Sequence, residues 1–530
     1  MQNNPYKLWI PVFALGWLFD LLFWDKELGI NFAIFWIISL GVALYLLMSD
    51  GIRPHRNALA LIPLFLFFAA ATFLRAEPMT RFLASLFSLF SLALLAVTYQ
   101  GGRWLEYSLA DYLLKYLSLA WSMAYRPGVF IANAQKTHAE SSTKPQRVNV
   151  LPFVRGVLIA LPVVAIFALL LASADVVFKQ KMDSLLDLFK IDNFAEYFLR
   201  FFLIVIVGHA LSGVVLHAVI ASKDDKLVGQ DKPIPPFFGF IEATIVLGSV
   251  VILFASFVIV QFQYFFGGSA NISIEGYTYA EYARRGFGEL IAVAFFALLM
   301  LLTLSTATKR ETERQRTVFT GLGIALVGLL LVMLFSAYQR LGLYEATYGF
   351  SRLRTYTHVF LVWLGLLLVT TIVLEVLRKT RAFALAMLVA SLGFAMSLPI
   401  LNVDGFIVRQ NIQREVLGTG LTDLDAQYFG ELSADAIPPL VTAFHNPNLP
   451  PHIHERVGAA LACFQYQLNL DTRDLPWQSF HFANLNASNA LATVSGELAD
   501  YHFTEADAPP NYTVGPSGQV FTCKQPDSDW

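Results

Sequence analysis

Three short stretches of this 530-residue chain concentrate side chains able to grip a charged ligand. In "EYARRGFGEL", residues 281–290, Glu281 lies three and four positions before Arg284 and Arg285, and Arg285 lies four before Glu289. On a helix these opposite signs pair along one side. An arginine fork held by carboxylates is also prepared to take a phosphate or carboxylate bidentately. The competing reading is an interfacial anchor, in which the arginine stems reach outward and Tyr277, Tyr279 and Tyr282 join an aromatic belt.

The second stretch is "RLGLYEATYGFSRLRTYTHVF", residues 340–360. Tyr344, Tyr348, Arg352 and Tyr356 recur every four residues, which predicts a single helical stripe, with Glu345 on nearly the same face and Arg354 and His358 beside it. Facing a cavity, the stripe suits an anionic or sugar-bearing ligand; facing lipid, it is belt chemistry. The third stretch, "NVDGFIVRQNIQREV", supplies Asn402, Asp404, Arg409, Asn411 and Arg414, residues able to cap the preceding segment, pair with the arginines or dock the C-terminal tail. Asp404 and Glu345 are the expected arginine partners. Were the site catalytic, Glu281, Glu289, Asp404 and His358 would be its acids and bases.

Other polar groups carry weaker signals. His209 and His217 are eight residues apart, about 80° around a helix, so they share a broad face and are candidates for a proton path as well as for ordinary hydrogen-bonded burial. His445, His452 and His454 stand near Glu455 without any accompanying metal motif, and a solvated loop is the better reading. Cys463 and Cys523 are the only cysteines; they are candidates for a disulfide or for two buried thiols, and neither has zinc-ligand spacing. Sequons occur at Asn271, Asn486 and Asn511. No P-loop, G-x-S-x-G, H-E-x-x-H or dinucleotide fingerprint occurs, so no cofactor and no metal are expected, and no basic patch points to nucleic acid.

The elements that must position these groups are membrane spans. The chain is 56% hydrophobic and 14% charged, with a mean hydropathy of +0.56. A spanning helix needs about 20 mostly apolar residues to cross ~30 Å of hydrocarbon. Eleven segments qualify: Leu8–Trp24, Leu28–Ser49, Asn57–Leu74, Phe82–Tyr99, Gly156–Ala174, Phe201–Ser222, Phe240–Phe262, Phe287–Thr308, Thr317–Ala337, Thr357–Leu377 and Ala382–Leu401. Asp20, Asp175, Glu242, Glu289 and Glu375 lie near span ends, where water relieves the cost of a charge. The first segment reads as a retained span, because no small-residue cleavage site follows it. Lys and Arg are more numerous in the loops on the N-terminal side, which predicts a cytoplasmic N-terminus and, after eleven crossings, an extracytoplasmic tail.

The expected architecture is therefore an all-α polytopic integral membrane bundle with a small, mainly helical extracytoplasmic C-terminal domain. Residues 1–99 form a four-span region, 100–155 an interfacial helix and a flexible cytoplasmic loop, 156–401 a seven-span core, and 402–530 the tail. Residues 104–125 compete as a twelfth span. The terminal stretch "TEADAPPNYTVGPSGQVFTCKQPDSDW" reads as irregular or extended.

The motifs "EYARRGFGEL" and "YEATYGFSRLRTYTHVF", with the Asn402, Asp404, Asn411, Arg414 pattern followed by "LDAQYFGELSADAIPPL", resemble a bacterial polytopic membrane family catalogued as domain of unknown function 4173. The resemblance covers roughly residues 150–445 and implies a bacterial cytoplasmic membrane protein, without a reaction or catalytic residues. The functional expectation is a pocket formed by residues 275–290, 340–358 and 402–415 that binds an anionic lipid headgroup or envelope precursor for transport or transfer. The alternatives are a membrane-embedded enzyme acting on a lipid-linked substrate, and a sensor or scaffold whose tail binds a protein partner.

Overall fold

The computed structural model describes residues 6–140, part of 156–168, 170–187, 194–227, 237–265, 287–418, 426–472, 475–505 and 511–523. Seventeen α-helices occur among them: α1 (Tyr6–Phe23), α2 (Ile30–Ser49), α3 (Arg56–Leu59), α4 (Leu61–Leu74), α5 (Pro78–Val97), α6 (Leu109–Glu140), α7 (Val176–Asp187), α8 (Phe194–Ile220), α9 (Phe240–Phe265), α10 (Phe287–Ala307), α11 (Glu313–Tyr348), α12 (Arg352–Val376), α13 (Phe383–Leu401), α14 (Val403–Val416), α15 (Ile437–Phe444), α16 (Pro451–Thr472) and α17 (Phe482–Val494). Strands β1 (His502–Thr504), β2 (Asn511–Val514) and β3 (Val520–Cys523) close the chain.

Ten helical segments are long and apolar enough to cross a membrane, with α3 and α4 forming one of them. They coincide with ten of the eleven expected spans. The other, Gly156–Ala174, is described only in part and is not among the ten. Helix α6 is not among the ten, and it departs from expectation in another way: it continues through Asn133 to Glu140, into the polar stretch read as flexible loop. The apolar positions of its first turns nucleate a helix, which then propagates through residues with no Gly or Pro after Gly128.

The chain divides into two compact units. One comprises Met1–Asp25, Gly41–Ile52 and Leu119–Val219. Here α8 packs closely on α1 and α6: a Cβ on Gly16 would lie 2.5 Å from the Ile204 carbonyl, and one on Gly213 would lie 2.4 Å from Met123. Asp20 is buried and accepts the Arg200 guanidinium at 2.7 and 3.0 Å, while the Trp24 indole donates to Glu196 at 3.0 Å. His217 is buried against Ser122 at 2.8 Å, and His209 meets the Ala124 carbonyl at 3.0 Å.

The other unit, Lys26–Leu40, Arg53–Ser118 and Ile220–Trp530, holds the remaining spans and the tail. Two of its chain reversals depend on left-handed backbone. Gly349, at φ 76°, turns α11 into α12, and a Cβ there would lie 2.7 Å from Asn411 Oδ1. Asn402, at φ 54°, ends α13 and starts α14, where its side chain accepts the Gly405 N–H at 3.3 Å. At the other membrane end, buried Asp224 accepts the Tyr107 hydroxyl at 2.6 Å and Lys115 Nζ at 2.5 Å, fixing residues 100–115 to the chain after α8.

The tail does not hang from the last span as a separate bead. One apolar core runs from Leu398 through Val403, Ile407, Val408 and Ile412 of α14 to Ile437, Leu440, Ile453, Leu461 and Leu491. Leu83, Phe350, Tyr356, Val359 and Phe394 of the membrane region pack against it. Each large side chain so buried contributes about 1.5–3 kcal/mol. Within the terminal stretch read as irregular or extended, β2 and β3 pair antiparallel, Asn511 with Cys523 and Val514 with Val520, and β1 pairs on the other edge of β2. A disulfide joins Cys463 of α16 to Cys523 of β3.

A second docking point makes the fold acid-sensitive. The Ile30 N–H donates to the Phe480 carbonyl at 3.0 Å, and His481 Nε2 donates to the Leu28 carbonyl at 2.7 Å. His481 Nδ1 is buried without a hydrogen-bond partner among the described residues, so a second proton would place an unanswered charge in the contact. Burial, reinforced by the Arg81 charge, depresses the imidazole from its ordinary 6.5 to about 4. A depressed imidazole contributes stability that is complete above pH 6.5 and is lost as pH falls through 4. Taking the tail from neutral pH to pH 5 should cost about 2 kcal/mol of docking free energy. His481→Gln should flatten that part of the pH profile, measured by amide exchange of residues 27–31.

Candidate functional site

The second and third expected stretches do meet. Arg352, at the start of α12, donates from Nε and Nη2 to the two oxygens of Asp404 at 2.8 and 2.6 Å. Asp404 is fully buried and also accepts the Ser433 N–H at 2.7 Å. Asn411 pairs with both backbone groups of Phe350, accepting its N–H at 2.7 Å and donating to its carbonyl at 3.0 Å. Arg414 reaches the Glu345 carbonyl at 3.4 Å, and Arg354 donates to the carbonyls of Tyr348 and Gly349 while its guanidinium lies 4.1 Å from the Tyr344 ring centroid.

Two details depart from the expected geometry. Tyr344, Tyr348, Arg352 and Tyr356 do not form one stripe, because the left-handed Gly349 breaks the helix between Tyr348 and Arg352. Glu345 therefore does not pair with Arg352; its carboxylate meets His358 Nδ1 at 3.0 Å, where the His358 ring also stands edge-on to Tyr338. Glu345, Tyr348, Arg352, Arg354, His358, Asn402, Asp404, Asn411 and Arg414 thus gather at one junction, where Arg352 pairs with Asp404 and His358 with Glu345, while Arg354, Asn402, Asn411 and Arg414 bond to backbone groups. Glu281, Arg284 and Arg285 lie outside the described residues, and Glu289 is placed only as a backbone position in the first turn of α10. Among the described residues no group of three His, Cys, Asp or Glu side chains is arranged to hold a metal; His445 faces Glu497, and His454 stacks on Phe444.

Sequence reasoning missed the other half of the junction. Glu77 caps α5, accepting the Met79 and Thr80 N–H groups at 2.9 and 2.8 Å and the Tyr356 hydroxyl. Asp435 accepts the Ala76 and Glu77 N–H groups at 2.6 and 3.2 Å and faces Arg75 at 3.4 Å. Burial pushes the Asp435 carboxyl above its ordinary range. The available signal was local: Glu77 before Pro78 is an N-cap followed by an N1 proline, and Ser433 opens the turn that carries Asp435.

Beside α14 lies a cavity of about 630 Å³, a size suited to a small-molecule ligand, whose lining includes neither Arg352 nor Asp404. Val408, Ile412, Val416, Pro438, Pro439 and Ala483 form its apolar wall, and Arg75, Arg409, Asp435, Asn402 and Asn486 its polar positions. Arg75 is partly committed, since its Nε donates to the Pro399 carbonyl at 2.9 Å. Arg409 is exposed and makes no hydrogen bond or ion pair among the described residues. Two guanidinium groups against one carboxylate leave the mouth cationic.

Ten membrane-crossing helical segments, with an extramembrane domain sharing their core, define a polytopic helical membrane protein. The chain belongs to the family described as a domain of unknown function, DUF4153, whose model matches residues 62–443. That family replaces domain of unknown function 4173, to which the motifs were likened, and its match begins at residue 62 rather than near 150, so it takes in Arg75 and Glu77. No curated protein and no solved structure matches the chain.

Proposed function

We propose that this multi-pass membrane protein binds an anionic amphiphile, such as a lipid headgroup or envelope precursor, in the cavity between α14, α15 and α17, for transport or transfer. The observation that carries the reading is Arg409, an exposed guanidinium with no ion pair among the described residues, lining a cavity that also has an apolar wall. Arg75 supplies a second donor set across the same space. The Arg352–Asp404 pair, which does not line the cavity, holds α14 against α12 rather than contacting ligand.

The cavity belongs to the extracytoplasmic side of a bacterial cytoplasmic membrane in this reading, with the N-terminus inside. A disulfide in the tail favours an oxidising compartment. The span parity agrees. The Gly101 N–H donates to the Ser222 carbonyl at 2.8 Å, yet only α8 among the described spans separates those positions. An odd number of further crossings between them accounts for that contact, and the expected Gly156–Ala174 span supplies one, making eleven.

Binding is testable with lysophosphatidylglycerol, a single-chain anionic amphiphile, titrated against protein in neutral detergent. Arg409→Glu should weaken it at least about tenfold, the loss of one charge-assisted contact. Lysophosphatidylcholine should bind weakly to both forms, and inorganic phosphate should compete only at high concentration. Equal affinity of both forms for the anionic ligand would reject the site.

A further inference from the structure

At the membrane end opposite the cavity, two connections carry a concentration of cations. Residues 308–316 contain Lys309, Arg310, Arg314 and Arg316, and residues 378–381 contain Arg378, Lys379 and Arg381; Glu311 and Glu313 are the only acids in either. Some of this charge is used internally. Glu313 takes Arg378 at 2.9 Å and Arg316 at 3.2 Å, which ties the two connections together. Arg310 donates to the Ser305 carbonyl at 2.6 Å and lies 4.6 Å from the Phe319 ring centroid.

Four cations are left over. Lys309, Arg314, Lys379 and Arg381 are exposed and make no ion pair or side-chain hydrogen bond among the described residues. Their surroundings identify what they face. Val318, Val376 and Leu377, within a few residues of them on α11 and at the end of α12, are exposed apolar side chains, as expected where a span emerges from acyl chains. A cation one or two turns from such a surface stands at headgroup depth.

We infer that these four side chains form a collar that binds anionic phospholipid headgroups of the adjoining leaflet. The Glu313 bridge between Arg378 and Arg316 holds the two connections side by side, so that several phosphates can be met at once. A basic residue near an anionic leaflet gains about fivefold in lipid occupancy, and neighbouring ones compound. The interaction is Coulombic and exposed, so it weakens with salt. It is independent of the cavity at the other end.

The test reconstitutes the whole chain in nanodiscs of phosphatidylcholine with a minority of phosphatidylglycerol. The protein is then extracted gently at low salt, and the phosphatidylglycerol that stays with it is counted. The wild-type protein should retain it in excess over its share of the bilayer. The combined variant Lys309→Glu, Arg314→Glu, Lys379→Glu and Arg381→Glu should lose that excess at least about tenfold. The charge-preserving set Lys309→Arg, Arg314→Lys, Lys379→Arg and Arg381→Lys should keep it. High salt should release the lipid from the wild type, a readout that needs no variant to fold. Retention unchanged by the charge reversals, or by salt, would overturn the inference, as would absence of any excess in the wild type.

Discussion

Asp404→Ala is expected to lower the unfolding free energy by about 3–5 kcal/mol, because it removes one member of a buried ion pair and strands the other. The carboxylate is fully buried, and three donors converge on it: Arg352 Nε, Arg352 Nη2 and the Ser433 N–H. Truncation leaves all three without an acceptor at the point where α12, α14 and the tail meet. The paired change Arg352→Met with Asp404→Leu should recover most of the loss, since exchanging a buried pair for apolar groups of similar volume is often close to neutral. Unfolding in detergent micelles, followed by protease access to residues 403–444, measures both. A loss below about 1 kcal/mol would show that the pair behaves as an exposed one.

The second large effect belongs to the Cys463–Cys523 bridge. It closes a loop of 60 residues that contains α17 and the first two strands. On the chain-entropy account, opening a loop of that length costs about 4 kcal/mol. Both cysteines are buried and both sulfurs contact the buried Thr513 hydroxyl, at 3.4 and 3.3 Å, so Cys463→Ala with Cys523→Ala removes those weak contacts together with the cross-link. The double variant should melt the sheet first. Residues 511–523 should exchange their amide protons at close to the unfolded rate, while α14 and α15 stay protected. Unchanged exchange at those residues would mean that the sheet is held by packing alone.

The spans are legible in the sequence because each is a long apolar run whose length alone specifies a crossing; the expected Phe240–Phe262, for example, is helical over Phe240–Phe265. The extent of α6 is harder to read, since polar composition after Ala132 argues against a span without arguing against a helix. The junction is half legible. Asp404 stands out as a partner for the loop arginines, but Glu345 and Arg352 share one face only on a continuous helix. The Gly349 and Ser351 signals for a helix stop and restart outweigh that periodicity. Arg75, Glu77 and Asp435 escape sequence reasoning, because the link between Arg75 and Asp435 spans 360 residues and no local spacing encodes it. The cavity escapes for the same reason, as its walls come from α14, α15 and α17. Strands β2 and β3 have a readable signal: "NYTV" and "QVFTC" flank a Gly-containing turn closed by Gly515 N–H to the Gln519 carbonyl at 2.9 Å.

The central claim is that an anionic amphiphile occupies the cavity beside Arg409, and photocrosslinking tests it most directly. A lysophosphatidylglycerol analogue with a photoreactive group in its acyl chain would be bound to the full chain in detergent, irradiated, and its attachment sites mapped by mass spectrometry. The account predicts labelling on Val403–Val416 and Ile437–Phe444 that disappears in Arg409→Glu and survives excess lysophosphatidylcholine. Labelling confined to the lipid-facing sides of the spans, with the same yield in Arg409→Glu, would contradict it.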